Sequence, residues 1–176
     1  MLSTFAQKIL QQRLKRPFAV ITIDVQNSFL HEDGGLARLG FDTVPLRAIL
    51  PEVARLHSFA RSANSPLIHV RSKGGQWLNW PRRAMAPRWL ERMEQSKGAP
   101  GIVSGEGNDI DFAPEAMPHA GETVLTKHVQ DAFNGTPLLF MLAQMQAETV
   151  ILSGLTTEGC VETTARTAFN HGFAVV

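Results

Sequence analysis

Short apolar runs alternate along this chain with segments whose apolar residues recur at helical spacing. The runs are rich in β-branched residues and end in polar clusters, which is typical of strands buried on both faces of a parallel sheet. They predict strands at Phe18–Ile23, Leu67–Val70, Thr123–Thr126 and Thr149–Ser153, and a last strand that begins in the final FAVV. The pattern therefore indicates a sheet whose strands are connected by helices.

The segments outside these runs predict amphipathic helices. They cover Phe5 to Leu14, Leu46 to Phe59, Leu138 to Gln146 and about Cys160 to Asn170. Thr136 and Pro137 fit the N-cap and first turn of the third helix, Pro51 an early turn or a kink in the second, and Gly172 the end of the fourth. Together these elements predict an α/β fold, a three-layer α/β/α arrangement around a mostly parallel central sheet.

Residues 72–121 interrupt this alternation. The segment contains Trp77 and Trp80 together with several prolines and glycines. An insertion of this size between strands is usually a lid or a functional surface. We expect a single domain over residues 1–176, with residues 72–121 as a lid-like insertion.

Composition narrows the classes of partner. The chain has 17 basic and 16 acidic residues and a net charge of +1, so it has no field to hold nucleic acid. No apolar stretch approaches the length of a membrane span, and the first residues do not form a signal peptide, so no membrane partner is expected. Cys160 is the only cysteine, which excludes an internal disulfide and favours a reducing, cytoplasmic location.

Three reactive side chains fall at the carboxyl ends of predicted strands. Asp24 follows the first strand, Lys127 ends the third, and Cys160 follows the fourth at the start of a helix. Ligands of open parallel sheets bind at this edge. A helix N-terminus and a nearby ammonium are expected to acidify Cys160, which makes it a candidate nucleophile with Asp24 as its acid–base partner.

Each of these residues also has a structural interpretation. Taken alone, Cys160 is a small buried hydrophobe, Asp24 a turn or cap former, and Lys127 a solvated side chain at a strand end. Their common position at strand ends shifts the balance towards a reactive site.

Three blocks of sequence resemble the isochorismatase-like cysteine hydrolases, a family that includes nicotinamidases, carbamoylsarcosine hydrolases and related amidases. The blocks are ITIDVQNSF, LTKHVQDAFNGTPL and VILSGLTTEGCVETTARTAFNHGF, in the order of the family. The resemblance runs from about Phe18 to the end. It implies a Rossmann-like topology and a catalytic triad of Asp24, Lys127 and Cys160 that cleaves the C–N bond of a small amide.

The resemblance also implies details of the site. It predicts a cis peptide bond between Leu155 and Thr156, and an oxyanion hole formed by the backbone N–H groups of Thr156 and Cys160. Plausible walls of the substrate pocket are Phe29, Trp77, Trp80 and Thr157, because small-molecule sites have mostly apolar walls with a few polar groups. Packing of the insertion explains the tryptophans equally well.

Two departures from the family pattern limit the resemblance. Nicotinamidases bind a metal near the second strand, whereas this chain retains only His69 there, which is more typical of a structural histidine. We therefore expect no metal and no other cofactor, and a nicotinamidase is less favoured. Relatives also continue beyond the position of Val176, so we expect a domain truncated at its C-terminus.

Two other functions stay open at this stage. One is the hydrolysis of a vinyl ether, as isochorismatases perform it, although the intact Cys160 argues against this reaction. The other is a catalytically idle relative that acts as a binding module, which the retention of all three triad residues disfavours. The sequence indicates a small-molecule substrate but does not identify the amide. The resemblance implies a homodimer or homotetramer.

Overall fold

Residues 3–73, 91, 103 and 107–176 are described by the structure, which is a computed structural model. Five strands form one sheet in this part of the chain: β1 Phe18–Ile23, β2 Leu67–Ser72, β3 Thr123–Lys127, β4 Thr149–Gly154 and β5 Ala174–Val175. Their spatial order is β3-β2-β1-β4-β5, and every pairing is parallel. The carboxyl ends of all five strands therefore lie along the same edge of the sheet.

Helices cover both faces of this sheet. In chain order they are α1 Thr4–Arg13, α2 Asn27–Leu30, α3 Gly35–Arg38, α4 Val44–Arg47, α5 Leu50–Ser62, α6 Leu138–Gln144 and α7 Glu162–Asn170. Short 3-10 turns at Gly107–Ile110 and Pro114–Ala116 precede β3, and a π-helical turn, Thr157–Val161, precedes α7. The predicted three-layer α/β/α fold is confirmed.

Alternate residues of the strands pack against different helices. Ile21 and Val70 belong to an apolar cluster with Leu138 of α6 and Ala168 of α7. Val20 faces the other side, where it packs in a cluster with residues of α5 and β4. Burial on both faces explains why the strands read as nearly continuous apolar runs, because neither face can carry polar residues without hydrogen-bonding partners.

Most predicted boundaries hold to within a few residues. Strand β2 continues two residues beyond the predicted end, to Ser72, and α6 ends at Gln144 rather than Gln146. Pro51 lies in the first turn of α5, as predicted, and Gly172 follows α7 with a positive φ of 89°. At the start of α6 the N-cap is Pro137 rather than Thr136.

The beginning of the last helix differs from the prediction. The sequence predicted one helix from about Cys160, but Cys160 lies in the π-helical turn and α7 begins at Glu162. Thr156 at the head of this turn accepts hydrogen bonds from the N–H groups of Gly159 and Val161, at 3.1 and 3.2 Å. Cys160 therefore lies in a π-helical turn that leads directly into α7.

Most of the predicted lid-like insertion, including Trp77 and Trp80, lies outside the described residues. Its last part is fixed to the body of the protein, since Arg38 of α3 forms an ion pair with the largely buried Asp109. Among the helices in the described ranges, none is both long and apolar enough to cross a membrane.

Candidate active site

Three strands bring the predicted reactive residues to one point at the carboxyl edge of the sheet. Asp24 directly follows β1, Lys127 is the last residue of β3, and Cys160 lies in the turn after β4. The Lys127 Nζ lies 2.8 Å from Asp24 Oδ2 and 3.2 Å from Cys160 Sγ. Asp24 and Cys160 are 136 positions apart in the sequence, from 24 to 160, and the fold brings both into contact with Lys127.

The backbone conformation of Asp24 and two backbone hydrogen bonds fix the position of this residue. Its φ is +56°, a left-handed conformation that aspartate and asparagine adopt more readily than most residues. Its N–H donates to the carbonyl of Val70 at 2.8 Å, and its carbonyl accepts from the N–H of Gln26 at 2.8 Å. This conformation turns the fully buried carboxylate towards Lys127.

The ammonium of Lys127 makes three hydrogen bonds and one ion pair. Its three N–H donors are directed to Ser72 Oγ at 2.8 Å, to the carbonyl oxygen of Val129 at 3.2 Å and to Cys160 Sγ at 3.2 Å. Its contact with Asp24 Oδ2, at 2.8 Å, is an ion pair without hydrogen-bond geometry. Burial lowers the pKa of Lys127, but the Asp24 carboxylate and the contact with Cys160 outweigh this effect, and the pKa is raised. Lys127 is therefore a permanent cation at the centre of the site.

Ser72 and Gln26 complete the polar cluster. The Ser72 hydroxyl donates to Asp24 Oδ1 at 3.0 Å. The side chain of Gln26, which is fully buried, accepts from the Ser72 N–H at 2.7 Å and donates to the Ser72 carbonyl at 3.0 Å. Gln26 also donates to the carbonyl of Ile110 at 3.2 Å. Its amide thus connects the end of β2 to the last part of the insertion.

The thiol of Cys160 is not acidified as the sequence predicted. Burial raises its pKa to about 12, and the negative charge of Asp24 adds to this effect, whereas Lys127 opposes it. At neutral pH the resting side chain is therefore a neutral thiol beside a carboxylate, which is an acid–base pair rather than a preformed thiolate.

The turn between β4 and Cys160 is fitted closely against β1. Gly154 has a φ of +117°, and a Cβ placed on it would lie 1.9 Å from the carbonyl oxygen of Ile23. The N–H of the next residue, Leu155, donates to that same oxygen at 2.9 Å. The peptide bond between Leu155 and Thr156 is cis, as predicted. Only glycine fits at position 154.

The predicted oxyanion donors lie on this turn. Thr156 and Cys160 are both half-buried, at opposite ends of the π-helical turn. Within the described ranges, the N–H of Thr156 makes no hydrogen bond to another backbone group. Their role as an oxyanion hole stays a prediction.

The predicted pocket walls have different positions. Phe29 is only 6% exposed and packs in an apolar cluster with Val25 and Leu155, beneath the turn that leads to the thiol. Thr157 is exposed in the π-helical turn. Trp77 and Trp80 lie outside the described residues, so all four assignments stay predictions.

A second polar network contains His69 and lies on the face of the sheet that α5 covers. Its Nε2 lies 2.8 Å from Glu122 Oε2, and the same carboxylate pairs with Arg61 at 2.7 and 3.0 Å. The ring of His57 stands 5.0 Å from that of His69 and shares a 2.7 Å hydrogen bond with Thr22 Oγ1. In the part of the chain that is described, no three histidine, cysteine or acidic side chains are placed to hold a metal.

Sequence reasoning missed Ser72 and Gln26. A signal for Gln26 was present, since it stands two residues after Asp24 in the block ITIDVQNSF. Ser72 carries a weaker signal, because recognising it requires knowing that β2 lies between the strands that end at Asp24 and Lys127.

Comparison with known proteins finds relatives along most of the chain. The family model of the isochorismatase domain matches residues 18–176. The ureidoacrylate amidohydrolase RutB of Methylobacterium radiotolerans is 27% identical over 88% of this chain and 62% of its own length. The maleamate amidohydrolase of Pseudomonas putida is 31% identical over 73% of this chain and 57% of its own length. The chain thus spans less than two thirds of both relatives.

A solved structure supports the fold. The isochorismatase-like hydrolase from Alkaliphilus metalliredigens superimposes with a TM-score of 0.66, over 91% of this chain and 77% of its own. The sequence identity of that pair is 24%, so the likeness concerns the fold.

Proposed function

Because the chain belongs to the isochorismatase family, we propose that it hydrolyses the C–N bond of a small amide, carbamoyl or ureido compound, with Cys160 as the nucleophile. One observation carries the proposal: the Lys127 ammonium lies 2.8 Å from Asp24 and 3.2 Å from the thiol. A binding module has no need for a buried cation that contacts both a carboxylate and a thiol. A vinyl ether hydrolase has no need for the thiol.

The first half of the reaction forms a thioester. Asp24 takes the proton of the Cys160 thiol as the sulfur attacks the substrate carbonyl, and a C–S bond forms. The oxygen of the tetrahedral intermediate accepts hydrogen bonds from the N–H groups of Thr156 and Cys160. The C–N bond then breaks, and Asp24 returns the proton to the departing ammonia or amine.

The second half releases the acid. Asp24 takes a proton from water as the water attacks the thioester, and the C–S bond breaks with return of that proton to the sulfur. Lys127 remains protonated throughout, because its pKa is raised. Its charge stabilises the thiolate as it develops and orients the Asp24 carboxylate. The raised pKa of the resting thiol fits this scheme, in which proton transfer and attack occur together.

Two relatives guide the choice of substrate class. Ureidoacrylate and maleamate, the substrates in the names of those relatives, are both small acids that carry an amide or ureido group. We propose that this protein acts on a small amide or ureido compound with a carboxylate. We further propose a homodimer or homotetramer in the cytoplasm, where the single thiol stays reduced.

The test is ammonia release from a panel of small amides, carbamoyl compounds and ureido acids. The intact protein is compared with Cys160→Ala and with Cys160→Ser, which keeps a weaker nucleophile of similar size. We expect release by the intact protein and none by the alanine variant. Activity that survives in Cys160→Ala would exclude the thioester mechanism, and inactivity of the folded, intact protein on the whole panel would contradict the proposed function.

A further inference from the structure

The hydroxyl of Ser72 forms a directed link between the two charges of the site. Lys127 Nζ and Asp24 Oδ1 lie 2.8 and 3.0 Å from Ser72 Oγ. An ammonium can only donate, so the single hydroxyl proton of Ser72 must point to the carboxylate. The direction of both hydrogen bonds is thereby fixed, from Lys127 to Ser72 to Asp24.

The two carboxylate oxygens of Asp24 are therefore not equivalent. Oδ1 accepts the hydroxyl proton of Ser72, whereas Oδ2 faces Lys127 at 2.8 Å. Apart from that ion pair, Oδ2 has no hydrogen-bond donor in the described residues. Oδ2 retains the free acceptor capacity that a general base needs.

The backbone of Ser72 is held by two hydrogen bonds with a buried side chain. Gln26 binds both its N–H and its carbonyl oxygen, at 2.7 and 3.0 Å, and no water is required to complete either hydrogen bond. This two-point contact fixes the backbone from which the hydroxyl projects. A serine needed only to fill the end of a strand would not require a fully buried glutamine to hold it.

We propose that Ser72 is a positioning residue: its hydroxyl occupies Oδ1 of Asp24 and thereby directs proton transfer from the Cys160 thiol to Oδ2. The inference rests on the proposed function. Ser72 acts through Asp24 and does not take part in any bond that forms or breaks in the substrate.

The link has a consequence for the rate of the chemical step. Removal of the hydroxyl leaves Oδ1 of Asp24 without its donor, so Oδ2 is no longer held in the orientation that receives the thiol proton. Ser72 does not contact the substrate in this proposal, so substrate binding should change little.

The experiment compares Ser72→Ala with Ser72→Thr, which keeps the hydroxyl. The matched control is Ser153→Ala, because Ser153 also lies near the end of a strand but pairs with Thr22 Oγ1 at 3.1 Å, away from the triad. We expect Ser72→Ala to lower kcat by about 10- to 100-fold with little change in KM. Ser72→Thr should recover most of the loss in kcat, and the control should resemble the intact protein.

The split between kcat and KM and the rescue by threonine separate this role from a merely structural one. An unchanged kcat in Ser72→Ala, or a Ser72→Thr variant as slow as Ser72→Ala, would overturn the role of Ser72. This outcome is distinct from failure of the proposed function, which is the absence of hydrolysis by the intact protein.

Discussion

Lys127 and Asp24 form an ion pair of 2.8 Å in which both side chains are almost completely buried, at 1% and 0% exposure. A pair in this position is not a surface salt bridge of marginal value. Removal of one member leaves the other charge buried without its partner, which is among the costlier single changes in a protein interior.

A double-mutant cycle on this pair should show strong coupling. We expect Lys127→Met to lower the free energy of unfolding by about 3 kcal/mol at neutral pH, because the Asp24 carboxylate then stays buried alone. Asp24→Asn keeps a residue that tolerates the positive φ, and the double variant should be more stable than the sum of the single losses predicts. Urea unfolding at neutral pH measures the cycle. Strict additivity would mean that the two charges do not interact.

Alkylation of Cys160 should change in opposite directions in these two variants. The pKa of the thiol is raised to about 12 by burial and by the Asp24 charge, and Lys127 opposes that increase. Asp24→Asn should therefore speed alkylation by iodoacetamide at neutral pH by at least about tenfold, and Lys127→Met should slow it. Mass spectrometry of timed samples gives the rates. Equal rates in the three proteins would contradict the assigned electrostatics.

Replacement of Gly154 should destabilise the protein more than replacement of other glycines with positive φ. A Cβ at Gly154 would collide with the backbone of Ile23, whereas one at Gly172 would meet nothing within 4 Å. We expect Gly172→Ala to cost about 1 kcal/mol through its φ alone, and Gly154→Ala to cost at least about 2 kcal/mol more. Chemical unfolding compares the two. Similar losses of stability in the two variants would show that the turn at Gly154 accommodates a Cβ without an additional cost in free energy.

The buried pair His57 and His69, on the face of the sheet that α5 covers, should make the fold sensitive to acid. Burial lowers the pKa of His57 to about 4, with His69 as a further cause, so its ring is neutral in the folded state. The unfolded chain protonates it below about pH 6.5. Stability from this residue is therefore complete above pH 6.5 and decreases as the pH falls towards 4, by about 1–2 kcal/mol at pH 5.

His57→Asn tests that assignment, with the exposed His31→Asn as the matched control. Urea unfolding at about pH 7 and pH 5 gives the difference in stability for each protein. The control should lose as much stability on acidification as the intact protein, and His57→Asn should lose less. An unchanged pH dependence in His57→Asn would place the acid sensitivity elsewhere. Glu122, whose pKa is lowered to about 2 mainly by its hydrogen bond with Arg61, should contribute only to losses below about pH 4.5.

Much of this architecture could be predicted from local patterns. Runs such as Phe18–Ile23 are apolar because both faces of the strand are covered, and that signal survives in the sequence alone. The positions of Asp24, Lys127 and Cys160 at strand ends followed from the same runs. The resemblance to a family added the cis bond between Leu155 and Thr156, which no local pattern indicates.

Other features depend on distances that a sequence does not contain. The protonation of Cys160 is set by its burial and by Asp24, two effects that appear only once the sheet has assembled. Ser72 becomes part of the site because β2 lies between β1 and β3, and the order of strands in space cannot be derived from their order in the chain. Local signals therefore predicted which residues come together at the strand ends, and the fold was required to determine their charge states and their hydrogen-bonding partners.

The lysine of the site is carried by β3, the outermost strand on its side of the described sheet. An outer strand has hydrogen-bonded backbone on one flank only, and Val124 within it is 43% exposed. Such a strand frays at a lower free energy than the centre of the sheet. Fraying of β3 would move Lys127 away from Asp24, which directly follows the central strand β1 and stays in place. Heat should therefore abolish the proposed activity before the sheet unfolds, so that thermal inactivation would depend on the outer strand rather than on the core.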